Sequence, residues 1–277
     1  MLKIKILALS LAMLPLAVSA QVPAPPESRE AQLTYADLVD LADTSELVLR
    51  AEIRRQIALE PERATGVAPG FARLFIEADT LALIAGTSGV GAQLRYLVDV
   101  PLDARGKVPK LRKQQVLLFA RTVQGRPGEL QLVSESAQLA YSPELEARLR
   151  PVLSALAATD SPPVVTGISD ALSVPGNLAG ESETQIFLKT EAGAPVSITV
   201  LRRPGRQPAW GVSWGEIIDQ SARPPAPETI AWYRLACALP PRLPDEANLS
   251  NDGSARAQAA RDYALVMGEL GPCARTL

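Results

Sequence analysis

The chain reads as an α+β protein built on antiparallel sheet, and three observations predict this. Apolar and polar residues alternate along several runs, the pattern of strands with one buried and one wet face. Capped helical segments stand before and after these runs rather than between every pair of them. Turns rich in Gly and Pro separate the strands. The expected architecture is an N-terminal antiparallel meander with flanking helices, either a small OB-like barrel or a curled sheet, followed by a C-terminal three-stranded antiparallel sheet packed by two helices.

Residues 1–20 have the tripartite form of a secretory signal. Lys3 and Lys5 make a basic start, Ile6 to Ala17 an apolar run, and Val18, Ser19 and Ala20 a signal-peptidase site. The run is shorter than the ~20 residues of a spanning helix, and no Cys follows it to take a lipid. The expected product is periplasmic or secreted and starts at Gln21, with a retained anchor as the alternative. Residues 21–33, rich in proline from Val22 to Glu27, read as a disordered leader.

Thr34 is placed to cap a helix from Tyr35 to Ala42, with Asp37 in its first turn. From Glu46 to Glu60 the odd positions Leu47, Leu49, Ala51, Ile53, Ile57 and Leu59 are apolar, and only Arg55 breaks the series. That predicts a strand with a bend or bulge near Arg55. Phe71 to Ile84 resumes the alternation after a loop. Gly86, Gly89 and Gly91 lack the Lys-Ser/Thr and the following helix of a phosphate loop, and read as a hairpin turn. Leu94 to Val100 and Val116 to Val123 are expected to pair, joined by a charged loop, and Glu129 to Val133 follows as a further strand.

Ser142, Pro143 and Glu144 begin a closing helix whose Leu145, Leu149, Val152, Leu153 and Leu156 face a core. Pro151 is expected to kink or divide it. Asp160 to Pro163 then punctuates the chain, so a β-rich domain is placed at 34–159 and an α+β domain at 164–277. In the second, Gln185 to Thr190, Val196 to Leu201 and Ala209 to Trp214 are the three strands. Glu228 to Leu239 is a helix, and Ser254 caps another whose Ala260, Tyr263, Ala264, Met267 and Leu270 form a stripe ended by Gly271.

Composition excludes more than it assigns. The chain contains no His, which removes imidazole catalysis and the His-dependent zinc motifs. The two cysteines, Cys237 and Cys273, are expected to form a disulfide between the last two helices, with two reduced thiols as the alternative. No metal site and no cofactor is expected. The formal charge of −2 becomes −4 once Lys3 and Lys5 leave with the signal, so no nucleic-acid partner is expected.

Against that acidic background one segment is strongly cationic. Asp103 to Lys113 carries five cations, Arg105, Lys107, Lys110, Arg112 and Lys113, against one carboxylate. The functional reading is a site for an anionic envelope component or an acidic protein face; the alternative is a solvated loop that keeps a sheet edge soluble. Arg202, Arg203 and Arg206 form a second cationic tip, read as a solubility device. Asp43-Thr44-Ser45 is similar to an aspartic-protease loop but lacks its glycine, and reads as a turn. Glu135 with Glu144 and Glu146, or Asp99 with Asp103, are the carboxylate pairs a histidine-free hydrolase would use. Trp210, Trp214 and Trp232 read as core.

Two short stretches, Gly180 to Leu188 and Trp232 to Cys237, resemble uncharacterised exported proteins of Gram-negative bacteria. The resemblance implies export and no activity. The expected function is that of a non-catalytic periplasmic binding or accessory protein. A hydrolase with paired carboxylates and a structural subunit of an envelope complex are the alternatives.

Overall fold

The computed structural model describes residues 33–86, 89–217 and 221–277. The expected signal at 1–20 and the leader up to residue 32 lie outside the described residues, as do Thr87 and Ser88 of the glycine-rich turn. Leu33, the last leader residue, is buried.

The fold is α+β, with two antiparallel sheets and four helices among the described residues. Helix α1 (Tyr35–Thr44) begins with a capping box, Asp37 N donating to Thr34 Oγ1 at 3.1 Å and Thr34 N to Asp37 Oδ2 at 2.8 Å. The first sheet contains β1 (Leu47–Ala58), β2 (Phe71–Gly86), β3 (Gln93–Pro101), β4 (Gln115–Thr122), β5 (Leu130–Leu132) and β6 (Gln138–Ala140). Its order is β3-β2-β1-β4-β5, with β6 also on β4. The expected bulge is present, as a register shift between Ile53 and Arg55.

The expected pairing of β3 with β4 is not found. β4 pairs with β1, from Leu47 opposite Ala120 to Glu52 opposite Gln115, so the strands follow a meander only as far as β3. The charged loop between β3 and β4 therefore passes across the ends of β2 and β1. Burial explains the choice. Leu47 to Leu49 and Val116 to Ala120 are buried at every position, as strands covered on both faces must be. Leu49, Ile53, Ile76, Tyr96, Val98 and Leu118 fill the inside of the curled sheet. Val48, Leu117 and Phe119 face the other way, under α1 and α2 (Pro143–Leu156).

The sheet curls without closing into the barrel that was one of the two expected forms. Among the described residues the backbone bridging on this side is a single parallel bridge between Arg95 and Glu129, the residue before β5, because β5 has three residues to set against the nine of β3. α2 runs unbroken through Pro151, which removes the bond to the Ala147 carbonyl without ending the helix.

The second sheet has four strands where three were expected: β7 (Val165–Pro175), β8 (Ser182–Thr190), β9 (Val196–Arg202) and β10 (Ala209–Ser213), in the order β10-β9-β8-β7. β7 escapes detection because register shifts at Val165/Gly167 and Ile168/Asp170 destroy its alternation. Helices α3 (Ile230–Ala236) and α4 (Gly253–Leu270) pack on this sheet. Asp252, not Ser254, caps α4, accepting from Ser254 N at 2.8 Å and Ala255 N at 2.9 Å.

The buried stripe of α4 is Ala255, Ala259, Asp262, Tyr263, Val266 and Leu270, rotated from the expected one. Asp262 is the reason. It is fully buried and accepts from Thr184 at 2.5 Å, Arg202 at 2.6 Å and Gln258 at 2.9 Å. The Cys237–Cys273 disulfide links the end of α3 to the segment after α4, as expected.

A ladder of carboxylates on α1 holds the C-terminal part of the chain. Asp37 accepts from Thr276, Asp40 from Tyr233 and Arg275, and Asp43 from Arg234 at 2.6 Å. Asp43 is thereby a helix-end anchor, in line with the turn reading of Asp43-Thr44-Ser45.

Candidate functional site

The residues from Leu102 to Gln114 are shaped by a few side chains that point inward. Asp103 Oδ1 accepts from the backbone N–H of Arg105 and of Lys107, both at 2.8 Å, and Gly106 takes a φ of 71° in the resulting turn. Gln56 on β1 fixes the middle of the loop from below. Its Nε2 donates to Pro109 O at 2.8 Å and its Oε1 accepts from Leu111 N at 2.5 Å. Val108 and Leu111 pack against the core inside the curl. Lys113 closes the loop with a φ of 69°, its N–H donating to Ile53 O at 2.7 Å.

With the apolar residues turned inward, the charges are left outside. Arg105, Lys107, Lys110, Arg112 and Lys113 are all exposed, and none has an ion pair among the described residues. The sequence-predicted site is therefore one fixed loop over one end of the first sheet. Arg202 of the second cationic tip differs, since its pair with Asp262 makes it part of the α4 interface.

A groove of about 1020 Å³ runs along the open seam between β3 and β5. One wall is formed by Tyr96 to Asp99 and the other by Glu129 to Leu132, with Ile57, Phe75, Arg63 and Arg126 contributing from β1, β2 and loops. Two of its carboxylates are engaged: Arg73 donates to both oxygens of Asp99 at 2.7 Å, and Arg126 lies 3.3 Å from Glu129. Tyr96, whose phenol burial pushes to a higher pKa, donates to Gln138 at 2.8 Å. Sequence reasoning missed this groove because its arginines come from four separate segments, each an ordinary polar position of a strand or loop.

The carboxylate pairs suggested for hydrolysis are not brought together as pairs within it. Asp99 and Glu135, one from each suggested set, line the groove. Asp103 holds loop backbone, and Glu146 is held by Arg150, which keeps its carboxyl below the usual value. Among the described residues no group of three or more acidic or Cys side chains is arranged to hold a metal ion. No protein-family model and no curated protein matches this chain.

The tryptophans are structural. Trp210 donates to Glu269 at 2.6 Å and Trp232 to Leu270 O at 2.7 Å, both within the second core, against which Trp214 packs. That sheet also carries an exposed apolar group, with Leu172 37%, Val174 52%, Phe187 39% and Leu249 56% accessible. No helix among the described residues is long and apolar enough to cross a membrane.

Proposed function

We propose that this chain is a non-catalytic binding protein of the bacterial envelope, exported by residues 1–20, which engages an anionic envelope component or an acidic protein face through its cationic loop. The observation that carries the reading is that five exposed cations, without an ion pair among the described residues, stand on one loop whose backbone is held by Gln56 and Asp103. Such a loop loses little conformational freedom on binding, so the charge attraction is not spent on ordering it. Several cations on an exposed loop suit anionic groups spread over a surface, and attraction of that kind weakens with salt.

The test compares the exported protein with a variant carrying Lys107→Ala, Lys110→Ala and Lys113→Ala together. Binding to phosphatidylglycerol vesicles and to immobilised envelope proteins is measured at low and high salt. The expected result is salt-sensitive binding to one of these that drops about tenfold or more in the variant, three lost charges at about 1 kcal/mol each being ample for that. Unchanged binding would make the loop a solubility device. A second reading, a structural subunit of an envelope complex, is favoured by the apolar group at Leu172, Val174, Phe187 and Leu249, and binding that survives the triple variant would direct attention there.

A further inference from the structure

Two connections meet at one end of the first sheet. β1 ends at Ala58 and β2 starts at Phe71, while β3 ends at Pro101 and β4 starts at Gln115. β1 with β2, β2 with β3 and β1 with β4 are all antiparallel, so residues 59–70 and 102–114 both lie at that end. They are joined as well as adjacent. Phe71 stands opposite Pro101 in the β2–β3 ladder, and Leu102 N donates to Gly70 O at 2.8 Å just beyond it. The first connection also has bonds of its own, Phe71 N donating to Ala68 O at 3.1 Å and Arg73 Nη1 to Thr65 O at 3.1 Å.

This juxtaposition adds charge and apolar surface to the cationic loop. Arg63 is exposed and has no ion pair among the described residues, which makes six cations in the two connections. Against them stand Glu60, Glu62 and Asp103, and Asp103 is already turned to the N–H groups of Arg105 and Lys107. Phe71 is 41% accessible, and Ala68, Pro69, Pro101 and Ala104 at the same end are exposed as well. A lone surface aromatic is ordinary. An aromatic ring set among cations matches the boundary of a bilayer, where rings lie at headgroup level and basic groups meet anionic phosphates. A protein partner would need a pocket cut to fit Phe71; a lipid surface needs none.

We propose that this end of the first sheet is a docking surface for a bilayer of anionic phospholipid, with Phe71 entering the headgroup layer and Arg63 joining the five cations of the 102–114 loop on its phosphates. The proposal rests on the binding role given to that loop, and it selects a lipid surface over an acidic protein face. Two separable contributions follow. The cations supply attraction that salt weakens, and the Phe71 ring supplies apolar burial that salt leaves in place.

The test measures cosedimentation of the exported protein with phosphatidylglycerol and with phosphatidylcholine vesicles at low and high salt. The phosphatidylcholine vesicles are expected to bind about tenfold more weakly or less. Arg63→Gln should weaken binding to phosphatidylglycerol about fivefold at low salt. Lys189→Gln, which removes an exposed lysine of β8 in the second sheet, should leave it unchanged. Phe71→Ser should weaken binding about fivefold at both salt levels and keep the salt dependence of the parent. Phe71→Trp keeps an aromatic ring and should bind like the parent, with added fluorescence that moves to shorter wavelength on the vesicles and is quenched by brominated lipid. Binding by Phe71→Ser equal to the parent's, no spectral shift for Phe71→Trp, or a loss from Lys189→Gln as large as that from Arg63→Gln would overturn the proposal. Salt-sensitive binding to immobilised acidic protein with none to vesicles would overturn it as well, while leaving the loop a binding site. Binding by the triple lysine variant equal to the parent's would remove the loop reading and this proposal with it.

Discussion

Asp262 shows how far one side chain can depart from what its type suggests. In α4 it occupies a core position, and its charge is tolerated because Thr184, Gln258 and Arg202 satisfy its oxygens. Replacing Asp262 by Ala leaves the Arg202 guanidinium, whose side chain is 29% exposed, without its counter-charge. Because that group keeps some water, the loss should lie near the lower end for broken buried pairs, about 3 kcal/mol, and Asp262→Asn should cost less. Urea denaturation would check both, and a midpoint for Asp262→Ala within error of the parent would sink the account. The residue also explains the misplaced stripe: a helix periodicity that counts only apolar residues passes over a buried carboxylate and settles on Ala260 and Ala264, both of which are exposed.

At the scale of elements, α1 is the part that ties the two sheets together. One side packs with Val48, Leu117 and Phe119, while its carboxylates hold Arg234, Arg275 and Thr276. Burial opposes the ionisation of Asp37, but donors from Thr276 and Thr34 outweigh it and hold the carboxyl below its usual 3.8. A carboxyl lowered on folding stabilises the native state above its unfolded pKa, and that contribution is lost as pH falls through the folded value. The parent protein should therefore lose more stability between pH 5 and pH 3 than Asp37→Asn does, as read from urea midpoints at the two pH values. Parallel losses in the two proteins would show that Asp37 carries no such linkage.

For the whole molecule, the disulfide and the α1 ladder act on the same terminal segment. The Cys237–Cys273 bond spans 36 residues, for which the chain-entropy relation gives about 4 kcal/mol. All three tryptophans belong to the second core or pack against it, so their fluorescence reports that part of the fold alone. Reduction, or Cys237→Ala with Cys273→Ala, should shift the fluorescence transition to markedly lower urea. Circular dichroism, which sees both sheets, should then show a broader transition than fluorescence. Coincident and unshifted curves would mean that the bond adds nothing to stability.

Local patterns were enough to place what depends on local forces. The alternation through Leu47, Leu49, Ala51 and Ile53 marks β1, Thr34 and Ser142 mark helix starts, Gly271 marks a helix end, and the cations of the 102–114 loop stand out against an acidic chain. Each rests on neighbouring residues, where hydrogen-bond geometry and side-chain period act directly. Only the tertiary structure decided that β4 pairs with β1, that β7 joins the second sheet, that Asp262 lies in a core, and that a seam remains open beside β3. Those outcomes depend on which distant surfaces bury one another: the doubly apolar β1 and β4 need cover on two faces, and the short β5 cannot pair along β3. The residues involved are far apart in the chain, so no window along it holds both partners.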